Sequence, residues 1–143
     1  MMAEKPVVKQ KPKPNNYRFV LHEHFASHHH FDLRLERFGV LKSWALPRGM
    51  PEKTTDKRLA VQVDNHPLSY INFKGITPKG QYGAGKTLIA DNGTYQALKW
   101  NQNEISFLLN GKKYKGKYAL IYLPKIGKND WIIVKGVDNE RPS

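Results

Sequence analysis

His30-Phe31-Asp32-Leu33-Arg34-Leu35-Glu36 alternates polar and apolar side chains without a break. Successive side chains of a strand point to opposite faces, so residues two apart stand together, roughly 6.6 Å from one another. As a strand, the segment sets Phe31, Leu33 and Leu35 on a core face and His30, Asp32 and Arg34 on the other. The preceding segment places Val20, His22 and His24 on a common face, from which His24 could join the polar group across a sheet. In a third segment, Arg58 to Asp64, a core face of Leu59, Val61 and Val63 sets Arg58, Gln62 and Asp64 opposite. His66 is expected just beyond that strand's end, before Pro67.

The same texture continues in both directions. Short β-rich segments separated by Gly, Pro, Asn and Asp are expected at residues 18–24, 30–36, 43–46, 59–64, 86–90, 93–98, 104–109, 117–123 and 131–134. Asp91-Asn92-Gly93 and Asn110-Gly111 suit hairpin turns, because Asn and Gly accept the positive φ those turns need. No amphipathic helix is evident, beyond one short turn within residues 51–57, and no repeat. Many short strands with tight turns predict a mainly β fold with little helix, an antiparallel β-barrel or sandwich. Residues 1–16 alternate Lys and Pro without apolar periodicity and are expected to form a disordered basic tail, with one domain over 17–143.

The chain has 143 residues, enough for one domain with a substantial core. No apolar run is long enough to span a bilayer, and residues 1–16 lack a secretory h-region, so a cytoplasmic protein without a membrane partner is expected. With no cysteine there is no disulfide, thiolate ligand or thiol nucleophile, which leaves His, Asp and Glu as metal ligands. Twenty-four Lys and Arg against 12 Asp and Glu give a net charge of +12, favouring a polyanion such as nucleic acid. Residues 111–128 carry Lys112, Lys113, Lys115, Lys117, Lys125 and Lys128 with no acid, a stripe suited to a phosphate backbone.

Two imidazoles and a carboxylate can hold Mn²⁺ or Zn²⁺ with positions left open for substrate. Arginines supply bidentate phosphate contacts, and a further His can act as general acid or donor. A single His on such a face is ordinary surface polarity. Five of the six histidines fall within residues 22–30, however, and strand parity groups His24 and His30 with the carboxylate; His28 and His29 read as surface or loop residues. Gly80-Gln81-Tyr82-Gly83-Ala84-Gly85-Lys86-Thr87 matches a P-loop pattern, but neither the buried strand before it nor the helix after it is expected. These glycines are read as shaping a turn.

His24-x5-His30-x-Asp32-x-Arg34-Leu35-Glu36, Leu41-Lys42-Ser43-Trp44-Ala45 and Pro47-Arg48-Gly49 resemble the 3′-phosphoesterase domain family of bacterial DNA ligase D. Asp56-Lys57-Arg58-Leu59-Ala60-Val61, Asp64-x-His66-Pro67-Leu68-x-Tyr70, Gly80-x-Tyr82-Gly83-Ala84-Gly85 and Trp131-Ile132-Ile133-Val134-Lys135-Gly136 continue the resemblance in order. It implies a compact β-barrel and a free-standing, manganese-dependent enzyme, with Zn²⁺ or Co²⁺ as alternative metals. The implied reaction removes a 3′-terminal ribonucleoside and then the 3′-phosphate, leaving a 3′-hydroxyl in support of DNA repair and end joining. The substrate would be primer-template DNA or DNA/RNA ending in a 3′-ribonucleotide or 3′-phosphate. A separate ligase, polymerase or end-binding protein would be a natural partner.

By motif position, the resemblance makes His24, Asp32 and His66 the metal ligands. His30, Arg34 and Arg58 would contact the scissile phosphate, with Tyr70 supporting the site. His22, Arg48 and Gln62 are further substrate-binding candidates; His22 stands where the family more often has Gln, and Arg48 where it more often has Lys. The expected nucleophiles are a neighbouring ribose 2′-hydroxyl in the first step and water in the second, with no base assigned. Two rivals are a non-catalytic nucleic-acid-binding barrel and a metal-dependent phosphatase of small molecules.

Overall fold

A computed structural model describes residues 16–137. Its strands are β1 (Tyr17–Phe25), β2 (His30–Arg37), β3 (Val40–Leu46), β4 (Lys57–His66), β5 (Gly75–Thr77), β6 (Gly85–Trp100), β7 (Glu104–Gly111), β8 (Lys115–Tyr122) and β9 (Asp130–Lys135). They lie in the order β1-β2-β3-β4-β9-β8-β7-β6-β5, and β1 also pairs with β6. That pairing closes eight strands into an antiparallel barrel and leaves β5 as a short addition beside the start of β6. The expected fold class is the observed one. Among the described residues the only helix is one 3-10 turn, Leu68–Asn72, following Pro67, and none is long and apolar enough to cross a membrane. The tail expected at 1–16 lies outside the described residues apart from residue 16.

Strand alternation fills the barrel. Phe19, Leu21, Leu33, Leu35, Trp44, Leu46 and Ala60 from β1–β4 meet Tyr95, Phe107, Leu120 and Ile133 from the other half, all buried. Each large side chain removed from water there contributes about 1.5–3 kcal/mol. The opposite side of β1–β3 is not left to solvent. Val20 and Leu41 pack against Ile71 of the 3-10 turn in a second, smaller cluster on the barrel's outside. Both faces of this wall are therefore buried, and the polar residues between Val20 and Leu41 are buried with them.

Three expectations about local structure need correction. Asp91-Asn92-Gly93 is no hairpin turn: β6 runs through it, with a register shift against β1 between Leu21 and His22. Asp91 uses its carboxylate to accept the backbone N–H groups of Asn92, Lys112, Lys113 and Tyr114, so it organises the β7–β8 turn instead. Gly93 allows the close approach of β7, since a Cβ there would collide with the Asn110 carbonyl oxygen. Asn110-Gly111 also ends a strand; the reversal follows at Lys112-Lys113, closed by the Gly111 N–H donating to the Tyr114 carbonyl.

The third correction is the parity of β4. Ala60 points into the barrel and Gln62 follows it, whereas Leu59, Val61 and Val63 face outwards, with Leu59 exposed. Apolar outward residues on a wall that is covered on both sides misled the alternation argument. His66 belongs to the strand, not beyond it. Between Ser43↔Val63 and Leu41↔His66, two β4 residues oppose Lys42 alone. This bulge reverses the alternation and turns His66 to the same face as Val63.

Candidate active site and metal centre

On the outside of the β1–β4 wall, a cavity of about 480 Å³ is roofed by the 3-10 turn and the loops flanking β5. His24, His30, Asp32, Arg34, His66 and Tyr70 all line it. Cross-strand pairing explains the convergence: His24 opposes His30, and His22 opposes Asp32, on the antiparallel β1–β2 ladder.

Arg34 is the hub. Its Nε donates to His22 Nδ1 at 3.1 Å, Nη1 lies 3.2 Å from His66 Nδ1, and Nη2 lies 3.4 Å from Asp32 Oδ2. The guanidinium also stands over the Tyr70 ring, 5.1 Å from its centroid. Because a guanidinium only donates, these contacts fix the tautomers around it. His22 accepts at Nδ1 and therefore donates from Nε2 to the Phe73 carbonyl at 2.9 Å. Protonating His22 would break the bond from Arg34 inside a buried site. Burial, then the Arg34 charge, push its pKa down to about 4. A glutamine amide offers the same acceptor and donor. His22 is fully buried, does not line the cavity and holds Arg34 through its Nδ1 bond.

His66 Nδ1 lies 3.2 Å from both Arg34 Nη1 and the Asp64 carbonyl. One ring nitrogen cannot accept from the first and donate to the second, and Arg34 can only donate. Nδ1 is thus the acceptor, and neutral His66 presents an Nε2–H donor. Burial and the Arg34 charge hold its pKa below the usual imidazole value.

The other two histidines are oriented in the opposite sense. His24 Nε2 contacts the carbonyls of Gly83 and Ala84 at 3.2 and 3.0 Å, which leaves the Nδ1 lone pair towards Asp32 Oδ2, 3.9 Å away. His30 Nδ1 donates to the His28 carbonyl at 2.8 Å, leaving Nε2 3.3 Å from the same carboxylate oxygen. Three ligand atoms from His24, His30 and Asp32 thus lie within 4.8 Å of one another. Two lone pairs and a carboxylate converging at that range require a cation between them, either a shared proton or a metal ion. Far ring nitrogens held by carbonyls are the usual outer support of metal-binding imidazoles. Without metal, the hydrogen bond to Asp32 raises the pKa of His30. Burial pushes the Asp32 carboxyl up, but the His30 hydrogen bond and the Arg34 charge outweigh it and hold it low.

The structure therefore regroups the residues expected at the site. His24 and Asp32 come together with His30 in place of His66, which takes a donor position beside Arg34. Tyr70 lies where expected, its ring 4.6 Å from His66 and stacked on Phe73 at 4.7 Å. Arg58, Arg48 and Gln62 do not line this cavity. Arg58 donates to the Arg48 carbonyl at 2.6 Å and pairs with Asp56 at 3.2 Å, in a separate surface depression. It shares the parity of Ala60 and Gln62, away from the outward face, and Gln62 opens on another cavity. The P-loop-like segment carries no helix after it; its Gly83 and Ala84 orient His24 through carbonyls, not through amides on phosphate. Gly85 is needed because a Cβ would strike the Phe25 carbonyl oxygen.

This chain matches the DNA ligase D 3′-phosphoesterase domain over residues 22–122. It is 44% identical over 151 positions to the multifunctional non-homologous end joining protein LigD of Mycolicibacterium smegmatis, covering 96% of this chain and 19% of that protein. Against the protein of the same name from Pseudomonas aeruginosa, identity is 38% over 157 positions, covering 99% of this chain and 19% of the relative. The Mycobacterium tuberculosis multifunctional non-homologous end joining DNA repair protein LigD is 46% identical over 107 positions, 72% of this chain and 14% of the relative. The chain thus spans less than a fifth of the length of these relatives. A closed barrel with a His, Asp and Arg cavity on its outer wall, and a match running through every strand of that wall, lead to one conclusion: the chain belongs to the DNA ligase D 3′-phosphoesterase domain family.

Proposed function

We propose that this protein is a divalent-metal-dependent phosphoesterase of nucleic acid 3′ ends, removing a terminal ribonucleoside and then the 3′-phosphate. The observation that carries the reading is the convergence of His24 Nδ1, His30 Nε2 and an Asp32 oxygen beside the charged Arg34. Those three residues would hold the metal, Mn²⁺ first, with Zn²⁺ or Co²⁺ also compatible with the donor set. When bound, the metal supplies Lewis-acid polarisation of a phosphate oxygen.

The chain's own groups do the rest. Arg34, fixed by His22 and Tyr70, offers charge to the phosphate oxygens as negative charge builds on them. His66 donates from Nε2 to a phosphate or leaving oxygen, the part first expected of His30. The 3-10 turn and the loop carrying Gly83 keep bulk water from one side of the cavity. The net charge of +12 and the Lys112–Lys128 stripe supply salt-dependent attraction for the strand, and Arg48 and Arg58 add to the positive surface away from the cavity. In the cell, the substrates would be broken DNA ends processed for end joining, in the cytoplasm, with a ligase or polymerase acting next.

The test is a labelled primer ending in one ribonucleotide, annealed to a template and incubated with each metal in turn. Loss of the nucleoside and then of phosphate, abolished by EDTA and restored by Mn²⁺, is the expected result. A folded protein that binds the primer and leaves it intact with every metal would make this a binding barrel instead. Activity on small phosphate esters that ignores both polynucleotide and salt would identify the other rival.

A further inference from the structure

The cavity on the outer wall has two unlike halves. Every charged or imidazole side chain lining it comes from the barrel wall, from β1, β2 and β4. The roof is made by the 3-10 turn, β5 and the loop that follows. It contributes Tyr70, Phe73, Thr77, Tyr82 and Gly83, none of them charged. A volume of about 480 Å³ falls within the range of ~300–1,000 Å³ that holds a whole small molecule. A phosphate placed at Arg34 and His66 therefore leaves the roofed half to something larger and less polar.

Three aromatic rings line the roof, and two of them are engaged. Tyr70 stacks on Phe73 at 4.7 Å, lies 4.6 Å from His66 and faces the Arg34 guanidinium. Tyr82 differs from both. It is 78% exposed and, among the described residues, makes no hydrogen bond, ring contact or cation–π contact. Its loop is nonetheless well tied. The Gln81 N–H donates to the Pro78 carbonyl at 3.2 Å, and the Ala84 N–H to the Gln81 carbonyl at 3.0 Å. Pairing of Thr77 with Gly85 closes the base of the loop, and His24 donates to its Gly83 and Ala84 carbonyls. Tyr82 is thus held at the cavity wall, close enough to Arg34 for the phenol to bear on its charge.

The two proposed steps use the halves differently. In nucleoside removal, the phosphate carries the strand on one side and the departing nucleoside on the other. In phosphate removal the strand is still there, but the nucleoside side is empty. An unpartnered aromatic ring beside an uncharged space suits the flat face that every nucleobase offers. We propose that Tyr82 stacks on the base of the departing terminal nucleoside, and so serves the first step and not the second. The inference rests on the phosphoesterase reading of this cavity, but one arm of its test needs no turnover.

The first arm compares full-length wild type, Tyr82→Ala and Tyr82→Phe with Mn²⁺ on two primers annealed to a template. One primer ends in a ribonucleotide, the other in a 3′-phosphate. Tyr82 is exposed and unpartnered, so its replacement spares the fold. At subsaturating primer, Tyr82→Ala should slow nucleoside removal by about ten- to a hundredfold, the worth of one stacked base. Phosphate removal should keep its wild-type rate. Tyr82→Phe should retain both steps, since a phenyl ring stacks as well. A primer ending in an abasic ribonucleotide should be slow with wild type and no slower with Tyr82→Ala. An equal loss in both steps would overturn the proposal and make Tyr82 a support for His24 or a contact of the strand. A Tyr82→Phe loss matching that of Tyr82→Ala would replace stacking by a contact of the hydroxyl. An abasic end cleaved at the full rate would rule out the base contact.

The second arm mixes the same chains, in EDTA, with a primer whose terminal ribonucleotide carries 2-aminopurine, a base whose fluorescence responds to stacking. A saturable change with wild type and Tyr82→Phe, lost with Tyr82→Ala, is expected. That signal from a chain that hydrolyses neither primer would end the phosphoesterase reading and leave the base contact standing. No change with wild type, or the same change with Tyr82→Ala, would overturn the contact itself.

Discussion

The two faces of the β1–β4 wall come from the same residues taken alternately, yet they are built on different physics. On the inside, Leu33, Leu35, Trp44 and Leu46 fill the barrel with apolar volume and fixed packing. On the outside, one residue along in each case, Asp32, Arg34 and Ser43 belong to a buried polar layer. Burial is nearly the same on both sides; Leu33 is 0% exposed and Asp32 5%. What differs is how burial is made tolerable. The inside needs only volume, so a substitution there acts through stability. The outside needs partners for its charges and lone pairs, and those of His24, His30 and Asp32 converge within 4.8 Å.

The largest effect expected is from Asp32→Asn, which keeps the volume but removes the charge shared by both histidines and Arg34. The primer assay should show a rate at least about a thousand times lower, equivalent to several kcal/mol of transition-state stabilisation. Retention of more than a tenth of the activity would separate the carboxylate from the chemistry. Next comes the inner face, where Leu35→Ala should lower stability by about 2–5 kcal/mol in urea denaturation. Its rate per folded molecule should stay within a few-fold of wild type. A rate loss comparable to that of Asp32→Asn would show that the two faces do not act independently.

His22 sharpens the comparison, being a titratable group treated as core. Its pKa is 6.5 in the unfolded chain and about 4 when folded. Above pH 6.5 both states are neutral and the contribution is level. As pH falls from 6.5 towards 4, only the unfolded chain takes up the proton, so stability declines by up to about 3 kcal/mol and then flattens. His66 adds in the same direction, while His30, whose pKa is raised, opposes it. His22→Gln should flatten this part of the stability profile between pH 6.5 and 4 while preserving activity at pH 7.5. An unchanged profile would mean that His22 is protonated at little cost. The smallest effect is expected from Tyr70→Leu, which removes the ring beneath Arg34. A loss of about 1 kcal/mol in stability follows from the cation–π contact, and Tyr70→Phe should retain it.

Much of the site was legible because β1 and β2 are adjacent in sequence and paired by a short loop. Parity then decides which residues meet, and it groups His24, His30, Asp32 and Arg34. The failures share a cause. Arg58, Gln62 and His66 lie on β4, reached through a long loop and altered by a bulge, so their facing depended on pairing with β3. Asp91-Asn92-Gly93 carries turn chemistry, but the Asp91 carboxylate takes three N–H groups from the β7–β8 turn besides that of Asn92, and the chain runs straight on. The resemblance pointed to Tyr70 and to the same chemical groups, whereas the geometry gathers His30, and not His66, with His24 and Asp32.

Residue identity and alternation alone pointed to an antiparallel β fold, a charge suited to a polyanion, and a His, Asp and Arg group suited to phosphate, because side-chain type and period 2 are local properties. The assignment of lone pairs was tertiary. It depends on the carbonyls of His28, Phe73, Gly83 and Ala84 and on an arginine that can only donate. Every residue carries a carbonyl, so the sequence holds no mark of which one will meet an imidazole; only the closed barrel brings them together.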